Sequence, residues 1–421
     1  MLTVSACSRQ KNADASPEPQ GEPLPVTKTA HAELLEKAGK LAGAMGNEQL
    51  AGQVLMIGVD GSDRLSEASK VALLKLMPGA VILFGFNVGT DPRSVFTLTE
   101  DIRALANDGS LPPFVAIDHE GGSVYRFKGG LTRLPSAAVM GLSAVGQEAG
   151  PGSGAPVVAA ALARAAAAGT AAGTELKVLG ITMNLAPVVE ALSAENRAFL
   201  VDRAWSDSPD LAGRLSAAFI EACQAGGVAT VAKHFPGNAS ADPHRGLPLL
   251  EASPELLEAS YYSPFRLAIR SGTSAVMMSH ALVSSLDADL PASLSARAIG
   301  TLKARFGFKG IVMTDDLAMA ALAGYGSLGE CAVLALNAGA DMLMATGGNV
   351  ATQIHTALLK AIDEGQVPKS RLVDAASRIV FQKLLFGLQS DADEDRIAML
   401  NGLPELVKRN SEALSKSLSS W

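Results

Sequence analysis

The sequence predicts a (β/α)8 TIM barrel, an α/β fold forming one catalytic domain without a second α/β sandwich domain. Three observations predict it. Eight short segments rich in β-branched and other apolar residues recur along the chain, and helical patterns fill most of the gaps between them. Ionisable residues gather at the C-terminal ends of the apolar runs. Continuous apolar runs, rather than strict alternation, mark strands covered on both faces. The competing architecture, a doubly wound open sheet, collects its polar residues at a single switch point. Here Asp118, Lys233, His234, His280 and Asp315 are spread over several strand ends, the face on which barrel active sites lie.

In order, the predicted strands are QVLMIGV from Gln53, AVILFGF from Ala80, FVAIDHE from Phe114 and ITMNLAPVV from Ile181. ATVAKHF from Ala229, AVMMSHALV from Ala275, GIVMTDD from Gly310 and DMLMATG from Asp341 complete the eight. All are read as buried strands. Predicted helices include PRSVFTLTEDIRALAND from Pro92, APVVAAALARAAAA from Ala155, PDLAGRLSAAFIEACQ from Pro209, PELLEASYYSPFRLAIRS from Pro254 and SARAIGTLKARFG from Ser295. Several open with Pro directly behind Ser or Asp, a helix-start signal. The barrel is assigned to residues 31–390. Residues 391–421 open on the acidic DADED and continue as a helix too short for a second domain, a C-terminal appendage.

With 421 residues, 48% of them hydrophobic, and a mean hydropathy of +0.23, the chain can bury a large core. Its 35 basic and 42 acidic residues give a net charge of −7 without a Lys/Arg-dense run, which excludes a nucleic-acid footprint. Cys223 and Cys331 lie in helix-like segments and read as small core residues, and no CxxC or Cys/His cluster suggests a metal or redox site. No uninterrupted apolar run reaches the roughly 18 residues that mark a membrane span. Met1 to Cys7 reads MLTVSAC and precedes a polar, Pro-rich tract, so residues 1–30 are linker-like and their start resembles the end of a bacterial lipoprotein signal. A lipid on Cys7 would anchor the protein to a bacterial membrane, facing outward. An ordinary leader would leave it soluble.

The chemistry centres on three places. After strand five, VAKHFPGNASADPHRGL passes from Lys233-His234 into a loop carrying Asp242 and His244; strand seven ends in Asp315, and strand three in Asp118. Glycosidic cleavage needs one group to protonate the leaving oxygen and a carboxylate to attack the anomeric carbon or activate water. Histidine, with an ordinary pKa near 6.5, both gives and takes a proton at neutral pH, and Asp242 would orient it. An Asp-x-His pair alone fits several barrel reactions.

The blocks KHFPG and DPH, IDHEGGSVYRF from Ile117, MNLAPVVE from Met183, LPASLS from Leu290 and GFKGIVMTDDLAM from Gly307 recur in order over nearly the whole barrel. Together they resemble family 3 of the glycoside hydrolases, most closely its bacterial β-N-acetylhexosaminidases. The resemblance implies that Asp315 is the nucleophile of a retaining mechanism and His244 the loop-borne acid/base, paired with Asp242. It implies that Asp118, Arg126, Arg203, Lys233 and His234 hold sugar hydroxyls, with Lys233 and Arg203 helping to keep Asp118 and Asp315 ionised. Asp316 reads as a helix-capping residue, Gly121 and Gly122 as a tight turn, and His280 with Met277 and Met278 as barrel packing.

Two departures stand out. The loop from Gly237 to Asp242 is shorter than the family's, and Pro243 replaces a serine, which stiffens the segment that carries the acid/base. Near Arg203, Trp205 replaces phenylalanine. The expected activity is that of a retaining exo-β-N-acetylglucosaminidase on peptidoglycan or chitin fragments, acting as a monomer without metal or organic cofactor. Alternatives are a β-N-acetylglucosaminide phosphorylase, a β-glucosidase of the same family, and a non-catalytic sugar-binding surface lipoprotein.

Overall fold

Eight parallel strands close into a barrel in chain order, each pairing with the next and β8 with β1. The strands are β1 Leu55–Gly58, β2 Ala80–Leu83, β3 Phe114–Ile117, β4 Met183–Asn184, β5 Ala229–Phe235, β6 Ala275–Met278, β7 Ile311–Asp316 and β8 Met342–Ala345. Each falls inside its predicted segment. The structure, a computed structural model, describes residues 28–106, 111–141, 155–239, 241–388 and 396–419. Cys7 and most of the leader lie outside the described residues.

Successive side chains on a strand face opposite sides, so each strand feeds two cores. Ala80, Ile82, Phe114, Ala116, Val231 and Met313 fill the barrel interior, while Val81, Leu83, Val115, Ile117, Ala232 and Val312 pack outward against the helices. This double burial is why the strands read as continuous apolar runs. The interior is rich in methionine (Met56, Met183, Met277, Met313, Met342 and Met344), whose flexible side chains adapt to irregular space. Met278 packs in the outer core, and Cys223 and Cys331 are both buried and unpaired.

Apart from β5, the strands are shorter than their predicted segments, β4 most of all. At β4 only Met183 and Asn184 join regular ladders, because Pro187 has no N–H to donate. The chain still runs beside β5, with Val231 N donating to Ala186 O at 3.2 Å and Lys233 N to Pro187 O at 3.2 Å. AVILFGF ends as strand at Leu83, and Phe84 to Asn87 turn away from the sheet.

The helices Pro92–Ala104, Pro209–Ala225 and Pro254–Leu256 start as predicted, with Pro in the first turn and Asp91, Ser208 and Ser253 accepting from the backbone N–H of Arg93, Leu211 and Leu256. Helix Ala155–Val178 contains a span, Pro156–Val178, long and apolar enough in length and composition to cross a bilayer, which the sequence reading did not anticipate. Here it is a barrel helix. Gly169 and Gly173 let helix Pro209–Ala225 come close, since a Cβ on them would lie 2.4 Å from Phe219 O and 2.2 Å from Cys223 O.

On its far side, helix Arg396–Ser419 covers the same helix and buries Leu400, Leu403 and Leu414. Its Asn410 donates to Glu175 Oε1 at 2.8 Å, and the same carboxylate receives the Thr132 amide at 2.8 Å. The C-terminal segment thus ties into the β3 loop that carries Arg126.

The N-terminal face of the barrel is held by Asp341, fully buried just before β8. Its carboxylate takes Lys303 Nζ at 2.7 Å, Arg371 Nη2 at 2.6 Å and the Val312 amide at 3.0 Å. Removing the shared anion strands the partly buried Lys303 and leaves Arg371 with Asp374 and backbone carbonyls alone. Asp341→Ala should therefore cost about 3–5 kcal/mol in urea unfolding; a loss under about 1 kcal/mol would be the cost of an ordinary surface pair instead.

Candidate active site

The predicted residues Asp118, Lys233 and Arg203 meet at the C-terminal mouth of the barrel, joined by a residue that sequence reasoning missed. Lys233 extends from β5, only 2% exposed, and places Nζ 2.7 Å from both Asp118 Oδ1 and Glu120 Oε1. Arg203 then grips Glu120 with two parallel bonds of 2.9 Å from Nε and Nη2. Burial alone would raise the Glu120 pKa, but Lys233 and Arg203 outweigh it and hold the group at about 2. Their ion pairs run to Asp118, as expected of Lys233, and to Glu120, and among the described residues none runs to Asp315. Arg126 is a looser member, with Nη2 3.5 Å from Asp118 Oδ2.

Local structure explains these positions. Gly121 and Gly122 adopt φ of +97° and +56°, the predicted tight turn, which swings the chain back after Glu120. His119 is fully buried against Tyr125 and Phe127; burial, with Arg133 and Arg126 nearby, pushes its pKa down to about 3, so it stays neutral. Asn184 clamps its backbone, accepting from His119 N and donating to His119 O, both at 3.1 Å. Val201, a β-branched residue at φ +53°, sits two residues before Arg203, a strained turn of the kind found at functional sites. Trp205, in the position usually held by phenylalanine, is buried beside Phe219 with ring centroids 6.1 Å apart.

His234 is also buried, and its partner Glu190 is the second residue that the sequence reading missed. Glu190 accepts His234 Nδ1 at 2.8 Å, the Asn238 amide at 2.6 Å and Asn238 Nδ2 at 2.9 Å. Burial opposes ionisation, yet these bonds hold its pKa below the ordinary carboxylate range. An ionised carboxylate only accepts, so Nδ1 carries the proton and Nε2 is left available. One buried anion thereby fixes both His234 and the root of the following loop. Gly237 lets that root lie on Tyr261, whose ring a Cβ would meet at 2.7 Å.

Further along the loop, His244 is exposed and makes the predicted pair with Asp242, its Nδ1 and its amide reaching Oδ1 at 2.8 and 3.0 Å. Desolvation opposes these bonds, which prevail and lower the Asp242 pKa. His244 Nε2 faces no protein acceptor among the described residues. The loop is latched within and after this pair: Ala321 N donates to Pro243 O at 3.0 Å, and Leu282 N to Pro248 O at 2.9 Å.

Asp315 lies buried near the end of β7, with Oδ1 accepting only the Asp316 amide at 2.8 Å among the described residues. Asp316 turns to Thr346 and to the Ala318 amide, a turn-forming role close to the capping one expected. His280 supports this strand end from below, its Nε2 donating to Asp316 O at 3.0 Å and its Nδ1 accepting from Ser293 Oγ at 2.7 Å. Burial lowers its pKa and keeps it neutral.

The acid sensitivity of the mouth follows from Glu120. Its folded pKa lies below its ordinary 4.5, so its stabilisation is complete above about pH 4.5 and drains as pH falls towards 2. Across that window the parent should lose on the order of 3 kcal/mol more than Glu120→Gln in acid unfolding followed by circular dichroism. Parallel curves would contradict the pairing.

A family model described as the Glycosyl hydrolase family 3 N terminal domain matches residues 47–381. Curated relatives include a beta-hexosaminidase of Neisseria gonorrhoeae, 34% identical over 284 residues, covering 67% of this chain and 74% of its own. Another, from Methylococcus capsulatus, is 32% identical over 345 residues, covering 80% and 97%. Among solved structures, a family 3 beta-N-acetylglucosaminidase from Paenibacillus has a TM-score of 0.76 at 29% identity, covering 88% of this chain and 69% of that one. NagZ from Neisseria gonorrhoeae, solved with N-trifluoroacetyl-D-glucosamine, has a TM-score of 0.68 at 28% identity, covering 86% and 98%. The family match spans all eight strands and every residue of the mouth described above, and the chain belongs to family 3 of the glycoside hydrolases.

Proposed function

We propose that this glycoside hydrolase is a retaining exo-β-N-acetylglucosaminidase. The observation that carries the mechanism is the state of Asp315. Of the carboxylates at the mouth, Asp118 and Glu120 are held by cations, Glu190 and Asp242 by histidines, and Asp316 by Thr346. Among the described residues Asp315 alone is left with a single amide bond, a buried carboxylate open to attack on substrate. The beta-hexosaminidase relatives and the N-trifluoroacetyl-D-glucosamine complex of gonococcal NagZ support N-acetylglucosamine as the sugar.

In the first step an Asp315 oxygen bonds to the anomeric carbon while the glycosidic C–O bond breaks, and His244 Nε2 gives its proton to the departing oxygen. Asp242 stabilises the imidazolium form that donates. In the second step the same imidazole takes a proton from water, which displaces Asp315 and restores the β configuration. Asp118, Lys233, Arg126 and Arg203 hold the ring hydroxyls with charge-assisted bonds, and His234 accepts one through Nε2. The mouth is set before substrate arrives, which favours the charge developing in the transition state.

Turnover of 4-nitrophenyl β-N-acetylglucosaminide, followed with and without phosphate, tests this reading. Asp315→Ala should lower kcat by at least about 10⁴-fold on this substrate, and His244→Ala should lower it by about 10²–10⁴-fold on methyl β-N-acetylglucosaminide, whose leaving group needs the acid. The β-anomer should be the first product seen by NMR, at a rate independent of phosphate. An unchanged rate in Asp315→Ala would overturn the nucleophile assignment. The Cys7 lipid anchor is part of the same proposal and would show as an added acyl mass on the N-terminal peptide.

A further inference from the structure

Phe86 is the one exposed phenylalanine of the chain's thirteen, at 63% exposure, and it stands on the active face just beyond β2. A rigid device presents it. Asn87 is fully buried, accepts the Phe84 amide through Oδ1 at 2.8 Å, and donates through Nδ2 to Val59 O at 2.9 Å and Gly61 O at 2.7 Å. Its own amide closes the turn onto Phe84 O at 2.9 Å. Two bonds from the Asn87 side chain thus pin the turn to the loop after β1, and Phe86 is its outward tip.

The ring of Phe86 stacks on Phe84, with centroids 5.8 Å apart and planes 23° from parallel. Phe84 packs on the barrel interior, and a Cβ at Gly58 would lie 3.5 Å from its ring and 3.9 Å from Thr346 Cβ. The aromatic pair therefore lies over the ends of β1 and β8, and Thr346 bonds Asp316, the neighbour of Asp315. On the other side, β2 pairs with β3, which leads directly into Asp118. The two rings form an apolar step between the Asp315 and Asp118 sides of the mouth.

A pyranose has two kinds of surface: hydroxyls around its edge, and faces lined by C–H groups that cover an aromatic ring well. The ion network at the mouth offers partners for the hydroxyls. An exposed aromatic fixed beside such a site is costly to leave bare and suited to a flat apolar partner. We propose that Phe86, seated on Phe84, is the platform for the sugar ring on the aglycone side of the scissile bond. This rests on the glycosidase reading above. The platform makes the enzyme selective for a sugar aglycone over a small one.

The test compares kcat/KM on methyl β-N-acetylglucosaminide and on a β-linked N-acetylglucosamine disaccharide for the parent, Phe86→Ala and Phe86→Trp. Because Phe86 is exposed, the variants should keep the parent's melting temperature. Phe86→Ala should lose roughly tenfold on the disaccharide and stay within about twofold on the methyl glycoside, while Phe86→Trp keeps the preference. Equal losses on both substrates, or no loss on the disaccharide, overturn the platform. A parent that hydrolyses neither glycoside overturns the glycosidase reading, and the platform with it.

Discussion

The mouth of the barrel depends on one buried ammonium. Lys233 Nζ lies between Asp118 and Glu120, and through Glu120 it is tied to Arg203, so β3, β5 and the loop after β4 share one charge network. Such a cluster is costly to dehydrate and holds only while every member is present. Its position also matters mechanically. It bridges β3 and β5 across β4, which contributes only two residues of regular ladder. Where backbone pairing is thinnest, side-chain charge supplies the connection.

Around that centre the buried polar groups sort by reach. Glu190 works over a short range, fixing His234 and the start of the loop together. His280 works through the backbone, holding the carbonyl of the residue after Asp315. These groups restrict motion of the presented side chains, which is how a site built of donors and carboxylates acquires direction. Among the described residues Asp315 is left out of the pairing, and the nucleophilic role proposed for it rests on that omission.

Much of this was legible in the sequence. Strand positions could be read because each strand faces two apolar cores, and Asp118, Lys233, His234, Asp242, His244 and Asp315 could be found where apolar runs meet loops. Glu120 and Glu190 could not, because their partners lie 83 and 44 residues away and only closure of the barrel brings them together. Beside a Gly-Gly turn or a strand end, a glutamate reads as a solvated charge. Phe86 was hidden for the opposite reason: within AVILFGF it looks like core, and the bonds of Asn87 that turn it outward involve a loop more than 20 residues upstream. Local pattern reports composition, whereas exposure is decided by contacts made at a distance.

The loop carrying His244 has a consequence of its own. It is rooted by Glu190 through Asn238, stiffened by Pro243, and fastened to the segment after β7 by the Ala321 amide. A longer, unattached loop must surrender its freedom each time it closes over sugar. Here most of that disorder is removed once, during folding. If His244 is the proton donor proposed above, each cycle begins with it already near its working position, and the short segment trades range of movement for constancy of aim.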